Sequence, residues 1–96
     1  MAIVHTYDLT AATGKADDLG AALEMLAEAV KTIAGSQGAM VLRDVKEPQH
    51  FLFLEFWADE PSRKAAGSQL PKQVMGQIMG SVTGAIGMAD YDRIAG

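Results

Sequence analysis

The run Phe51-Leu52-Phe53-Leu54-Glu55-Phe56-Trp57 constrains the fold more than any other part of the chain. Aromatic and aliphatic residues in such a run suit a β-strand. Successive strand residues point to opposite faces, so Leu52, Leu54 and Phe56 share one face and Phe51, Phe53, Glu55 and Trp57 the other. Both sets are mostly large and apolar, whereas an antiparallel strand with one wet face alternates apolar and polar. The helices of one small protomer can cover only one face. We assign Leu52, Leu54 and Phe56 to the helices. Phe51, Phe53, Glu55 and Trp57 are then the outward face. Each aromatic contributes on the order of 1.5–3 kcal/mol when buried, which makes an uncovered face costly. A second copy stacked sheet to sheet is the expected cover. The competing cover is the chain's own terminal segment folded over that face.

The rest of the chain supplies a context for this strand. Residues 2–9, with Ile3, Val4, Thr6 and Tyr7, read as a first strand. Leu19, Leu23, Leu26, Val30 and Ile33 recur at helical spacing and predict a helix over about Lys15–Ala34. Asp17 and Asp18 in its first turn and Lys31 in its last suit the helix dipole, and Gly35 supplies the stop. Residues 40–45 read as a second strand, joined to the Phe51–Trp57 strand by a polar, proline-containing hairpin. Asp59 and Pro61 open a short helix running to about Ala66, and a second helical piece spans about Pro71–Val82. Gly84–Gly87 reads as flexible, and Met88–Ile94 as a last strand weakened by Asp90 and Asp92. The order strand, helix, strand, strand, helix, strand predicts an α+β, ferredoxin-like βαββαβ fold with a four-stranded antiparallel sheet. The 96 residues suffice for a single domain over 1–96.

Composition removes several function classes. The net charge is −4 with no basic cluster, so no nucleic-acid partner is expected. The chain has no cysteine, which excludes disulfides, thiolate ligands and thiol nucleophiles. Two distant histidines and scattered carboxylates give no metal-ligand spacing, so no metal is expected. No signal peptide is read in the first residues and no run is long enough to span a membrane, so the expectation is a cytoplasmic chain without a membrane partner. Gly76, Gly80 and Gly84 recur every four residues. They predict close packing of that helix on the sheet, with a mobile lid as the alternative.

Three blocks carry a resemblance. Gly14-Lys15-Ala16-Asp17-Asp18-Leu19, Gly38-Ala39-Met40-Val41-Leu42-Arg43-Asp44, and Phe51–Trp57 followed by Ala58-Asp59-Glu60 are similar, in order and spacing, to the antibiotic biosynthesis monooxygenase family over roughly residues 2–83. The strand ending in Glu-x-Trp is the most specific of them. The resemblance implies a dimeric α+β barrel and a pocket between sheet and helices, often used to oxidise aromatic polyketides or quinols without metal or flavin. It therefore implies a monooxygenase with no cofactor, acting on an aromatic small molecule. The chain departs from the family in one respect. Many active members have a histidine in the helical segment after Glu-x-Trp, and Arg63–Gln73 contains none. Haem-degrading members are matched at Trp57, but not at a first-strand asparagine, where Tyr7 or a neighbour stands, nor at a helical histidine, near Gly67. Haem degradation is accordingly disfavoured. A non-catalytic binding or structural dimer of the same fold is the alternative.

Cofactor-free oxygenation requires a protein that binds an electron-rich phenol, excludes water and removes a proton. His5 and Glu55 are the candidate bases. His5 shares its strand face with Ile3 and Tyr7; Glu55 lies between Phe53 and Trp57 on its own. The structural alternatives are a hydrogen-bonded strand histidine and a rim carboxylate paired with Arg43. Tyr7, Phe53, Trp57, Met75 and Met79 are the candidate substrate-binding residues, each equally readable as packing. His50 reads as a solvated residue of the hairpin turn.

Overall fold

The computed structural model describes all 96 residues. The elements are β1 (Ile3–Thr10), α1 (Ala16–Lys31), β2 (Ser36–Arg43), β3 (His50–Trp57), α2 (Glu60–Ala66), a 3₁₀ turn (Gly67–Gln69), α3 (Lys72–Met79) and β4 (Gly87–Asp92). All pairings are antiparallel, in the order β2-β3-β1-β4. This is the ferredoxin-like α+β arrangement expected from the order of elements, with the helices on one face of the sheet.

Local chemistry sets the element ends. Asp59 caps α2 by accepting the Ser62 amide at 2.8 Å, with Pro61 in the first turn. α1 stops at Lys31, short of the expected Ala34, where the Thr32 hydroxyl donates to the Ala29 carbonyl. Gly35 follows with φ +85°, a conformation that strains other residues, and a Cβ there would collide with the Ser62 side chain. Gly35 therefore both turns the chain and lets the start of α2 approach.

The core lies between the sheet and α1. Leu19, Leu23, Leu26 and Val30 of α1 are buried, as the spacing predicted. They meet Phe51, Phe53 and Trp57, and here the structure reverses the predicted faces. Phe51, Phe53, Glu55 and Trp57 point to the helices and are buried, whereas Leu52, at 36% exposure, together with Leu54 and Phe56 lies on the open face. Two contacts mark the inner face. Gly20 on α1 places the helix against the Phe51 ring, where a Cβ would still fit at 3.6 Å. The Trp57 indole N–H donates to Glu55 Oε1 at 3.1 Å, so this face supplies a partner for its own carboxylate.

Two further expectations are corrected. The glycines in and just after α3 do not pack on the sheet: a Cβ at Gly76 would meet nothing within 4 Å, and one at Gly80 only the carbonyls of Gly76 and Gln77. The chain after α3 is instead tied to the end of β1 through the Ala11–Val82 bridge and the bond from the Thr83 amide to the Thr10 carbonyl at 2.8 Å. His50 is not merely solvated: its Nε2 lies 2.7 Å from Asp8 and its Nδ1 3.1 Å from Asp44. Those two carboxylates push the His50 pKa up, and the His50 bond, with two backbone amides, pulls that of Asp44 down.

Leu19 is fully buried at the centre of this packing. Leu19→Ala should lower unfolding stability by about 2–5 kcal/mol. Urea titration followed by circular dichroism checks this, through a lower midpoint at unchanged slope.

Candidate active site

The register of β1 assembles the site. His5 pairs with Glu55 on β3 and with Asp90 on β4, and Ala39 on β2 extends the same row. Residues directly opposite in neighbouring strands share a face. Glu55, His5 and Asp90 therefore form a titratable row across the inner, helix-covered face. The next row is Val41, Phe53, Tyr7 and Met88. Arg63 reaches the first row from α2, its Nε 3.1 Å from Asp90 Oδ1.

His5 is buried, and its Nδ1 lies 2.6 Å from Asp90 Oδ1. An ionised carboxylate only accepts, so the hydrogen of a neutral His5 ring sits on Nδ1 and points to Asp90. Arg63 Nη2, a donor, lies 3.0 Å from Nδ1 and 3.4 Å from Nε2. Since Nδ1 is committed to Asp90, Nε2 carries the lone pair of the ring, and Arg63 Nη2 at 3.4 Å is the donor within its reach. The carboxylate thus fixes the tautomer that leaves Nε2 able to take a proton.

Glu55 is buried with one oxygen satisfied by Trp57, while Oε2 has no hydrogen-bond partner. Burial pushes the Glu55 pKa up; the Trp57 hydrogen bond and the charges of His5 and Arg63 act against it. Burial also drives the Tyr7 phenol well above its ordinary range, reinforced by the Glu55 charge, so Tyr7 is a neutral hydroxyl at physiological pH. The Tyr7 ring meets His5 edge to face at 4.7 Å and lies 5.9 Å from Phe53.

A raised carboxylate pKa has a sign for stability. Above the ordinary value of 4.5 the unfolded chain loses the Glu55 proton while the native state keeps it. Stability attributable to Glu55 therefore falls as pH rises through the window between that value and the raised native one. Glu55→Gln cannot ionise and should remove this decline. Thermal unfolding of both proteins between about pH 4 and pH 8 checks it: the difference in midpoint, variant minus wild type, should grow with pH.

A cavity of about 190 Å³ opens on this row, walled by His5, Tyr7, Glu55, Arg63 and Met88, with Gly67 and Leu70 on the helix side. A second recess of about 180 Å³ meets it at Tyr7 and Met88 and is lined by Leu23, Leu26, Met75, Ile78 and Met79 among others. The candidates His5, Glu55 and Tyr7 are thus brought together, and Met75 and Met79 wall the adjoining recess. Phe53 and Trp57 are fully buried and reach neither cavity; they support Tyr7 and Glu55 from behind. Arg43 does not pair with Glu55. It lies opposite Phe51, stacks on that ring at 5.2 Å and donates from Nε to the Pro48 carbonyl. Gly67, near the expected place of the helical histidine, lines the cavity without a functional group. Asp90 and Arg63 are the functional residues that the sequence reading did not single out. No three histidine or carboxylate side chains converge so as to hold a metal ion, and no helix is long and apolar enough to cross a membrane.

Comparison with known proteins agrees with this architecture. The cofactor-independent oxygenase SnoaB of Streptomyces nogalater, solved as a point mutant, superposes with a TM-score of 0.85 at 12% identity, over 99% of this chain and 95% of that one. A conserved protein from Methanosarcina mazei gives 0.84 at 18% identity, over 95% and 91% of the two chains. A Deinococcus radiodurans protein that carries the antibiotic biosynthesis monooxygenase designation gives 0.79 at 27% identity, over 100% and 93%. No curated protein sequence matches the chain. The family model for antibiotic biosynthesis monooxygenase matches residues 1–68, which contain β1 through the helix that carries Arg63. On this match and the shared fold, the chain belongs to the antibiotic biosynthesis monooxygenase family.

Proposed function

We propose that the chain is a cofactor-independent monooxygenase that oxidises an aromatic or quinol-like small molecule in the cavity between the sheet and α2. The observation that carries this reading is the Glu55–His5–Asp90 row beside a cavity lined by His5, Glu55 and a neutral Tyr7 hydroxyl. Tyr7 donates a hydrogen bond to a substrate oxygen. His5 Nε2 exchanges its long contact with Arg63 for the substrate hydroxyl and takes the phenolic proton, and Asp90 stabilises the imidazolium that results. The phenolate passes one electron to O₂, and the radical pair combines through a carbon–oxygen bond. The resulting peroxide takes the proton back from His5. Loss of water from the carbon bearing hydrogen and peroxide leaves a carbonyl, so one oxygen atom enters the product and the other leaves as water. Glu55, with its raised pKa and unpartnered oxygen, holds a proton or a hydrogen bond beside His5. Oxygen consumption with a panel of hydroquinones and anthrone-like phenols tests the reading. Turnover should fall in both His5→Ala and Glu55→Gln. No turnover on any substrate, or turnover unaffected by either substitution, would overturn it.

The working unit proposed is a homodimer through the outer face, which is the face opposite to the one expected from sequence. Met40 pairs with Leu54, and Leu42 with Leu52. Val4 joins Phe56 to Tyr91 in the next row. Met40 at 46% and Tyr91 at 59% exposure belong to one contiguous apolar surface with Leu42 and Leu52. The chain's own C-terminal segment does not cover it: Arg93 stacks on Phe56 at 5.3 Å, but Ile94 is 92% exposed. A second copy is the cover of matching chemistry.

A further inference from the structure

The two recesses differ in chemistry, and together they define a substrate class. The recess at the titratable row is about 190 Å³, and its polar side chains are His5, Tyr7, Glu55, Arg63 and Lys64. A cavity of about 150 Å³ suffices for benzene, so this space holds one oxygenated ring. The neighbouring recess of about 180 Å³ is lined by hydrophobic residues throughout, including Met75, Ile78 and Met79. Tyr7 and Met88 line both, so the two recesses adjoin at these side chains and a substituent on a ring bound at Tyr7 lies next to the apolar one.

Charge adds a second restriction. The two cations at the polar recess are already paired, Arg63 with Asp90 at 3.1 Å and Lys64 with Glu60 at 2.8 Å. The positive charge at the recess is thus matched by carboxylates of the chain, while Glu55 adds a carboxyl group with an unpartnered oxygen. A substrate carboxylate there would compete with Asp90 and Glu60 for those cations and meet the Glu55 carboxyl group.

We propose that the substrate is an uncharged phenol or hydroquinone with a single oxygenated ring and an apolar substituent, the ring seated at His5, Tyr7 and Glu55 and the substituent against Met75, Ile78 and Met79. This rests on the cavity being the active site, and it goes further by fixing size, charge and shape. Flexible methionines suit a recess that takes an alkyl chain without demanding one shape.

Anaerobic isothermal titration of the full chain with 2-hexylhydroquinone, hydroquinone and 2,5-dihydroxybenzoate tests it. Each methylene buried in the apolar recess is worth about fourfold in affinity, so the hexyl compound should bind at least about tenfold more tightly than hydroquinone. The dihydroxybenzoate should bind at least about tenfold more weakly than hydroquinone. Met79→Glu changes an exposed side chain at the edge of the recess, which the fold tolerates, and should collapse the ratio between the hexyl compound and hydroquinone. Equal affinities for the hexyl compound and hydroquinone, preferred binding of the carboxylate, or no binding of any of the three would overturn the proposal. Tail-dependent binding without oxygen uptake would uphold the ligand class and remove the oxygenase reading. Oxygen uptake with no preference for the tail would do the reverse.

Discussion

Replacing His5 with alanine should lower kcat for oxygen consumption by about 10²- to 10⁴-fold, the usual worth of a positioned general base. KM should change far less, because ring and substituent contacts remain. The expectation follows from the tautomer. Asp90 accepts the Nδ1 hydrogen across a 2.6 Å N···O distance and leaves Nε2 as the unprotonated ring nitrogen. Asp90→Asn keeps the shape but removes the charge that stabilises the imidazolium and holds Arg63. Its kcat should lie between those of wild type and His5→Ala. Combining the two substitutions should cost little more than His5→Ala alone, because Asp90 acts through His5. Steady-state oxygen-electrode measurements on the four proteins supply the comparison. A double variant whose loss is the product of the two single losses would show that Asp90 acts elsewhere.

Leu54→Glu should convert a dimer into a 10.2 kDa monomer. Leu54 sits in the middle of the outer face, between Met40 on β2 and Thr6 on β1, and is only half-buried in the protomer. A glutamate there has room and water in the monomer, so the fold survives. In a face-to-face pair, a charge from each copy would be buried without a partner. Such juxtapositions cost several kcal/mol, which weakens association by on the order of 10²- to 10³-fold. Sedimentation velocity at micromolar concentration reads the outcome, with circular dichroism reporting the fold. Wild type sedimenting as a single 10.2 kDa species would already contradict the dimer.

The fold was legible because its signals are local. The helical spacing of Leu19, Leu23, Leu26 and Val30, the Asp59 cap and the apolar run Phe51–Trp57 are each contained in a short stretch. The choice of face was not legible, because both parities of β3 are apolar and their difference lies in partners. Glu55 argues for the wet face when read alone. It is buried with a partner of its own, because Trp57, two residues away, donates to it. His5, Tyr7 and Glu55 could be singled out as polar groups on hydrophobic strands. Asp90 could not be joined to His5, because 85 residues separate them and only the β1–β4 register brings them together. Arg63 was hidden for a similar reason: on a short helix its charge looks like any solvated arginine until α2 is placed over the row.

If the cavity at the Glu55–His5–Asp90 row inserts one atom of O₂ into a phenolic ring, isotope labelling reads that step most directly. An alkyl hydroquinone is turned over under oxygen-18 gas in ordinary water, and the product is read by mass spectrometry immediately after quenching. A hydroxyquinone carrying one oxygen-18 atom is expected, formed by wild type and nearly absent with His5→Ala. A simple quinone without label, or a labelled product formed equally by His5→Ala, would contradict the insertion and the role of His5 in it.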